Sequence, residues 1–525
     1  MRESSDRFPR RRIASPAKNR GFCWPPFWRR AIAYMDESVV NIALPAIERD
    51  LATSLVVIQW LVNAYTLCLS AFLLIGGSAA DQFGRRRIFV VGISIFAAAS
   101  LWCGFSPTIS QLILARAIQG FGAALLIPCS LALIGASFDD DERGKAIGTW
   151  AGFSAIASAI GPLLGGWIVD HFSWRWIFLI NPLLALPAIW IVRHHVPESR
   201  DPEARGPLDW SGAFVALLGL AGVCFGFIAA PDFGWTDVKV AAPLAVGLLL
   251  LAAFVWMEAR SHSPMLPLDL FRSRTFSAVN LLTLLLYAAL GGAFFFLPFA
   301  LIQVQGYSAA LAGAAFLPFT VIMALLSRWS GGLVDRFGAR LPLVMGPIIT
   351  ALGFGLLAFS VGGRGYATFL ASMTVLGLGM AISVAPLTTT VLNAVPAHQT
   401  GVASGINNAV SSLAGLLAVA IFGAVSLGIY DHGLDHSFRS ASASPELKQA
   451  VQAARGQFTI APAASGIEGV DRELARMIIK ASLAESIRGI MLLAAILALG
   501  AAASGALLPR SVNEQTGSRP KTAQQ

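Results

Sequence analysis

The chain has 525 residues, of which 56% are apolar and 13% charged, against roughly 25% charged in an ordinary soluble domain. With 50 glycines and 27 prolines besides, little polar material remains to coat a water-soluble particle, which excludes a disordered chain and disfavours a soluble enzyme. The formal charge of +9 brings no aromatic or motif partner for nucleic acid; it is concentrated in residues 1–30, which read as a basic cytoplasmic tail before the first span.

In chain order, apolar runs close to the ~20 residues that a helix needs to cross a bilayer fall near 31–48, 56–80, 88–106, 109–137, 144–169, 175–193, 208–230, 241–259, 274–303, 308–333, 341–361, 365–393, 400–429 and 483–508. The chain therefore reads as an all-α polytopic membrane protein of about fourteen transmembrane helices. Connections after even-numbered spans carry most of the arginines, among them Arg85, Arg86, Arg87, Arg143, Arg193, Arg272 and Arg340. Short connections after odd-numbered spans hold only Arg49, Arg175, Lys239 and Arg364. By the positive-inside bias both termini, including the tail 509–525, are cytoplasmic and the protein spans the cell (inner) membrane. Segment 430–482 then forms an extracytoplasmic loop. The five cysteines show no disulfide or metal spacing, and His432 and His436 lack a third ligand, so neither metal nor cofactor is expected.

The segment Gly77 to Arg86 recurs as Gly331 to Arg340, and its two aspartates are 335 − 81 = 254 positions apart. A looser pair relates Gly144 through Gly148 to Gly401 through Gly405, with 405 − 148 = 257. Eight spans separate the copies, so both lie on one membrane face, as in a parallel repeat about an axis along the membrane normal. One six-helix bundle (31–193), an inserted pair of spans with its linkers (194–273) and a second bundle (274–429, completed by 483–508) account for the whole. Two bundles rocking about a midplane cavity are the architecture of a carrier.

Three span motifs carry the chemistry. The first span reads Met35-Asp36-Glu37-Ser38-Val39-Val40-Asn41-Ile42-Ala43-Leu44-Pro45. A carboxylate inside a span costs at least ~2.5–3.5 kcal/mol and is a functional hypothesis by default; burial favours its neutral form, so it can take up and release a proton. The plainer alternative is a helix cap at the interface. The fourth span reads Arg116-Ala117-Ile118-Gln119-Gly120-Phe121-Gly122-Ala123-Ala124. An arginine there needs a partner, and Asp36 is the obvious one; otherwise it snorkels to the span's outer end. The fifth span carries Gly148 and then Gly161-Pro162-Leu163-Leu164-Gly165-Gly166. Gly161 and Gly165 share one face and admit a close neighbour, while Pro162 permits a kink; ordinary tight packing is the alternative.

In these motifs, over nearly all of residues 34–429, the sequence resembles the major facilitator superfamily, specifically its fourteen-span drug:proton antiporter branch. Ser38 stands where that family has Thr, and Ala157 where it usually has Gly. The resemblance implies a fold of two six-helix bundles plus two inserted spans, proton coupling through Asp36 and Arg116, and an antiport role for the fifth-span motif. In the loop motif Gly77, Asp81, Gly84, Arg85 and Arg86, with Asp335, Gly338 and Arg340, would make and break contacts that bias inward- against outward-facing states. The family places a full apolar half-span before its first aspartate; here Trp24-Pro25-Pro26-Phe27-Trp28-Arg29-Arg30 stands there.

For the substrate cavity the candidates are polar or amphipathic residues within spans: Asn41, Trp60, Asn63, Tyr65, Gln119, Tyr287, Asn407 and Asn408. No Asp or Glu lies deep in spans nine to thirteen, which suits neutral or weakly charged lipophiles. Phe294-Phe295-Phe296 reads as lipid or core contact, and Arg328 as snorkelling or facing an anion. The expected function is a non-enzymatic secondary transporter that exports small lipophilic compounds against protons, its partners being the substrate, protons and the bilayer, with a monomer sufficient. A nutrient importer or uniporter on the same fold is one alternative. A non-transporting sensor or defective transporter, suggested by the altered first half-span, is the other.

Overall fold

The computed structural model describes residues 27–137, 160–200, 208–261, 264–363, 365–396, 399–439, 452, 454–455 and 470–509. Its helices are α1 (Phe27–Asp50), α2 (Leu55–Phe83), α3 (Arg85–Phe105), α4 (Ile109–Ser137), α5 (160–171), α6 (Trp176–His195), α7 (Trp210–Phe233) and α8 (Val238–Arg260). There follow α9 (Arg274–Phe299, prolonged by a π-turn over Ala300–Val304), α10 (Ala309–Ala314), α11 (Leu317–Gly331), α12 (Leu333–Phe337), α13 (Arg340–Ser360), α14 (Tyr366–Asn393), α15 (Thr400–Arg439) and α16 (Val470–Ala506). With no water in a bilayer to satisfy backbone amides, continuous helices are the form such apolar runs take. Twelve of the described spans, α10 and α11 counting as one, are long and apolar enough to cross a membrane. The charged α1, 24 residues long, and α5 lie outside that set. This is a multi-pass membrane protein.

Helices α1 to α4 and α6 pack among themselves, as do α9 to α16. The two halves meet where α2 runs along α15 and where α1 touches α9 and α10. The inserted hairpin docks through α7, against both α2 and α15, so it bridges the seam between the halves. Helix α8 packs on α7, and only 11% of its apolar window is buried.

Two expectations need correction. The tenth span is not one helix but α10 and α11 with a break between them, because Pro318, at the start of α11, has no amide to continue the helical ladder. The loop expected over 430–482 is helical at both ends. Tyr430 and Leu434 on α15 are buried with Ala475, Ile479 and Leu483 on α16 in one apolar cluster, so an apolar stripe too short to mark a span still holds two helix extensions together.

The repeated loop motif has the same turn in both copies. Gly84 (φ +109°) and Gly338 (φ +71°) end α2 and α12 in conformations that L side chains rarely adopt, and their amides donate to Ala80 O and Val334 O.

Candidate functional site

Asp36 lies on α1, Arg116 and Gln119 on one face of α4, Ser100 on α3 and Asn181 on α6; all five residues are buried to within 1%. One Arg116 terminal nitrogen donates to Asp36 Oδ2 at 2.6 Å and to Gln119 Oε1 at 2.8 Å. The other Asp36 oxygen, Oδ1, accepts from Asn181 Nδ2 at 2.6 Å and from Gln119 Nε2 at 3.1 Å. Asn181 and Gln119 also donate to Ser100 Oγ, which in turn donates to Phe178 O. The aspartate is therefore no interfacial cap and the arginine does not snorkel. A charge removed from water is tolerated only when paired and hydrogen-bonded, and three donors on Asp36 meet that demand for its ionised form.

The Arg116 guanidinium lies 4.2 Å from the centre of the Tyr65 ring. Tyr65 on α2 also lines a cavity of about 300 Å³ between the halves. Ser38 and Asn41 on α1, Tyr287 and Phe294 on α9, Phe316 and Thr320 beside and on α11, and Asn408 and Ser411 on α15 share that lining. Asp36 and Arg116 do not reach it: Tyr65 stands between the ion pair and the cavity. Along α2 the lining runs from Val62 to Leu73, 73 − 62 = 11 residues or ~16 Å, and no Asp, Glu, Lys or Arg belongs to it.

Of the eight cavity candidates the structure brings Asn41, Tyr65, Tyr287 and Asn408 together there. The other four are elsewhere. Gln119 belongs to the Asp36 cluster; Asn407 donates to Asn280 Oδ1 and Thr283 Oγ1 on α9; Trp60 faces Phe225 of the hairpin; and Asn63 is fully buried with neither amide atom hydrogen-bonded. The phenylalanine run is core contact as expected, Phe295 and Phe296 being buried and Phe294 packed against them, and Phe294 and Phe295 line the cavity as well.

Gly165 packs against Val39 of α1, and a methyl group at Gly166 would overlap the Ala309 carbonyl of α10. Reciprocally, one at Gly313 would overlap the Pro162 carbonyl. The fifth-span motif thus forms a backbone-to-backbone seam between the halves; Gly161 is buried within it, and Gly148 lies outside the described residues. At the end of that seam Asp170 accepts from the first amides of α10, Ala309 N at 3.0 Å and Ala310 N at 2.7 Å, where a carboxylate complements the helix dipole. At the same end, where α1 stops and α2 begins, Gln59 Nε2 donates to Val419 O of α15 at 2.8 Å.

In the loop motif Arg85 pairs with Asp81 at 3.0 Å. Arg86 turns to a residue that the sequence did not single out: its amide donates to Glu198 Oε1 at 3.0 Å, its side chain lies 3.7 Å from the other Glu198 oxygen, and it donates to Val196 O. Gly77 sits beside Pro128 of α4. In the second copy Arg340 opens α13, while the Asp335 and Arg328 side chains lie outside the described residues. Among the described residues no three side chains of metal-ligating type converge.

The sequence profile of the Major Facilitator Superfamily matches residues 30–419. The chain is 34% identical over 419 residues to the multidrug resistance protein Stp of Mycobacterium tuberculosis (strain CDC 1551 / Oshkosh), covering 80% of this chain and 76% of that one. It is 37% identical over 412 residues to the puromycin resistance protein pur8 of Streptomyces alboniger, covering 77% and 82%. Among solved structures, a bacterial homolog of the human lysosomal transporter Spinster, inward-facing and unoccupied, superposes with a TM-score of 0.65 over 92% of this chain and 96% of that chain at 16% identity, a likeness of fold.

Proposed function

This chain belongs to the major facilitator superfamily, and from that premise we infer that it exports small lipophilic organic compounds across the cell (inner) membrane in exchange for protons, by alternating access. The relatives named for multidrug and puromycin resistance support export of such compounds. The observation that carries the coupling is the sealed Asp36–Arg116 pair with Tyr65 between it and the cavity. A proton on Asp36 removes the negative charge that holds Arg116, and the guanidinium then loses its strongest partner. Tyr65, in contact with both, is placed to pass that change to the cavity wall, and substrate pressing on Tyr65 acts in reverse.

The positive-inside bias puts both termini, and the Asp81–Arg85 loop, in the cytoplasm. The Gln59–Val419 and Asp170–α10 ties then close the outer side, and the cavity extends from beneath them toward the cytoplasmic half. No cofactor is required; the proton gradient supplies the energy. The test is proton movement driven by substrate. In everted vesicles holding a preformed acid interior, puromycin or an uncharged aromatic antibiotic added outside dissipates the gradient when the protein is present. A gradient untouched by every compound of such a panel, with the protein folded and inserted, contradicts proton-coupled export.

A further inference from the structure

At the base of the inserted hairpin two carboxyl groups that stand 258 − 209 = 49 positions apart come together beside Gly212. Asp209 precedes α7 and caps it, accepting from Gly212 N at 2.9 Å and from Ser211 Oγ at 2.8 Å. Glu258, in the last turn of α8, is only 3% exposed. Its Oε2 accepts from Leu266 N at 2.9 Å, in the linker to the second bundle, whereas its Oε1 has no donor among the described residues. That oxygen lies beside Asp209: Glu258 Oε1 and Asp209 Oδ2 both crowd the one point where a Gly212 side chain would lie.

Two carboxylate oxygens cannot bond unless one holds a proton, and like charges in contact away from water are strongly unfavourable. Which group holds it follows from the donors. Burial works against a charge on Asp209, but the Gly212 amide, the Ser211 hydroxyl and the bond with Glu258 outweigh it and hold its carboxyl below the usual carboxylate range. Glu258, with backbone donation to Oε2 alone and almost no exposure, is the neutral acid. We propose that Glu258 and Asp209 form a proton-binding site separate from Asp36, in which the proton on Glu258 Oε1 bridges to Asp209 and fastens the hairpin to the linker that enters the second bundle.

Among the described residues no cation pairs with either carboxyl group. On α8, Arg260 lies over the Trp256 ring at 4.2 Å; on α2 and α3, Asp81 pairs with Arg85 and Arg86 with Glu198; in the linker, Asp269 pairs with Arg272. The sign follows from linkage. The closed pair binds a proton that an opened, solvated Glu258 gives up more readily, so the fastening is complete at low pH and is lost as pH rises past the point where Glu258 releases it. The hairpin lies across the seam between the halves, so cytoplasmic alkalinisation would loosen a brace on the transport cycle.

The proposal does not depend on transport, and its test needs none. The full-length protein in lipid is titrated by infrared spectroscopy, and the carbonyl stretch of a protonated carboxylic acid is followed in wild type, Glu258→Gln and Asp36→Asn. A protonated-acid band persisting well above the ordinary carboxylate range, absent from Glu258→Gln and retained in Asp36→Asn, is the expected result. In parallel, hydrogen exchange at the Leu266 amide, taken as the ratio of wild type to Glu258→Gln at each pH, should rise by up to about tenfold per pH unit while the closed pair still holds the proton that an opened Glu258 has given up, and level off once the closed pair releases it. In Asp209→Asn, which keeps a cap on α7, the Glu258 band should disappear at a different pH from that in wild type. No Glu258-dependent band, a flat exchange ratio, or a band that follows metal-cation concentration rather than pH would overturn the assignment.

Discussion

Arg116 has its strongest tie to Asp36 and no water to fall back on, which sets the cost of altering either residue. Removing the cation alone leaves a buried carboxylate to be neutralised, so Arg116→Met should lower stability by about 3–5 kcal/mol, read as loss of melting temperature in detergent. Adding Asp36→Asn to it should restore part of that loss, with a coupling of about 0.5–3 kcal/mol; strictly additive losses would mean the two do not form a pair. Asn181→Ala removes a donor from Asp36 Oδ1 and should cost about 1–3 kcal/mol. The pair was legible because a carboxylate and an arginine inside apolar spans have few partners. Asn181 was not: an amide beside Pro182 and Pro187 in an ordinary apolar run carries no mark of what it faces. Gln119 was assigned to the cavity although residues three apart on a helix share a face, and its spacing from Arg116 already put it with the ion pair.

Helix α5 and the broken tenth span meet through backbone, which is why the motif needs glycine at 166 while residue 313, outside any motif, needs it equally. Gly313→Val should force the halves apart and reduce transport without touching the cavity lining, measured as efflux against expression level. Asp170 joins the halves through two amides of α10, each bond to a charged acceptor being worth about 1.5–3 kcal/mol. Asp170→Ala should therefore shift the protein toward its outward-open form. With a reporter at Ser412→Cys, in the cavity lining, in a background lacking the native cysteines, a thiol reagent applied from outside should react about tenfold faster or more; an unchanged rate would show that Asp170 does not hold the outer side closed. Helix lengths were legible to within a few residues because apolar run length is what a bilayer demands. Pro318 was read as part of a run, and the extensions of α15 and α16 were missed because they are held by Tyr430, Leu434 and Ile479, spaced for packing on each other and not for lipid.

The molecule as a whole is two bundles around a cavity whose wall, among the described residues, holds aromatic rings, amides and hydroxyls and no ionised side chain. Uncharged or weakly basic aromatics should therefore compete for export far better than permanent dications of similar size, and Tyr287→Ala or Phe294→Ala should raise the concentration needed for half-maximal export. Equal competition by dications would mean that a carboxylate outside the described lining takes part. The two-bundle plan was legible in the repeat from Gly77 and Gly331, whereas the bridging position of the hairpin was not, because α7 is apolar all round and sequence gives no direction to such a face. Everything turns on whether the proton that drives the cycle lands on Asp36. Reconstituted wild type and Asp36→Asn, compared for uphill efflux under an imposed pH gradient and for substrate exchange without one, give the most direct answer. Loss of the gradient-driven flux with exchange retained is the predicted result; uphill, proton-driven efflux unchanged in Asp36→Asn would contradict it.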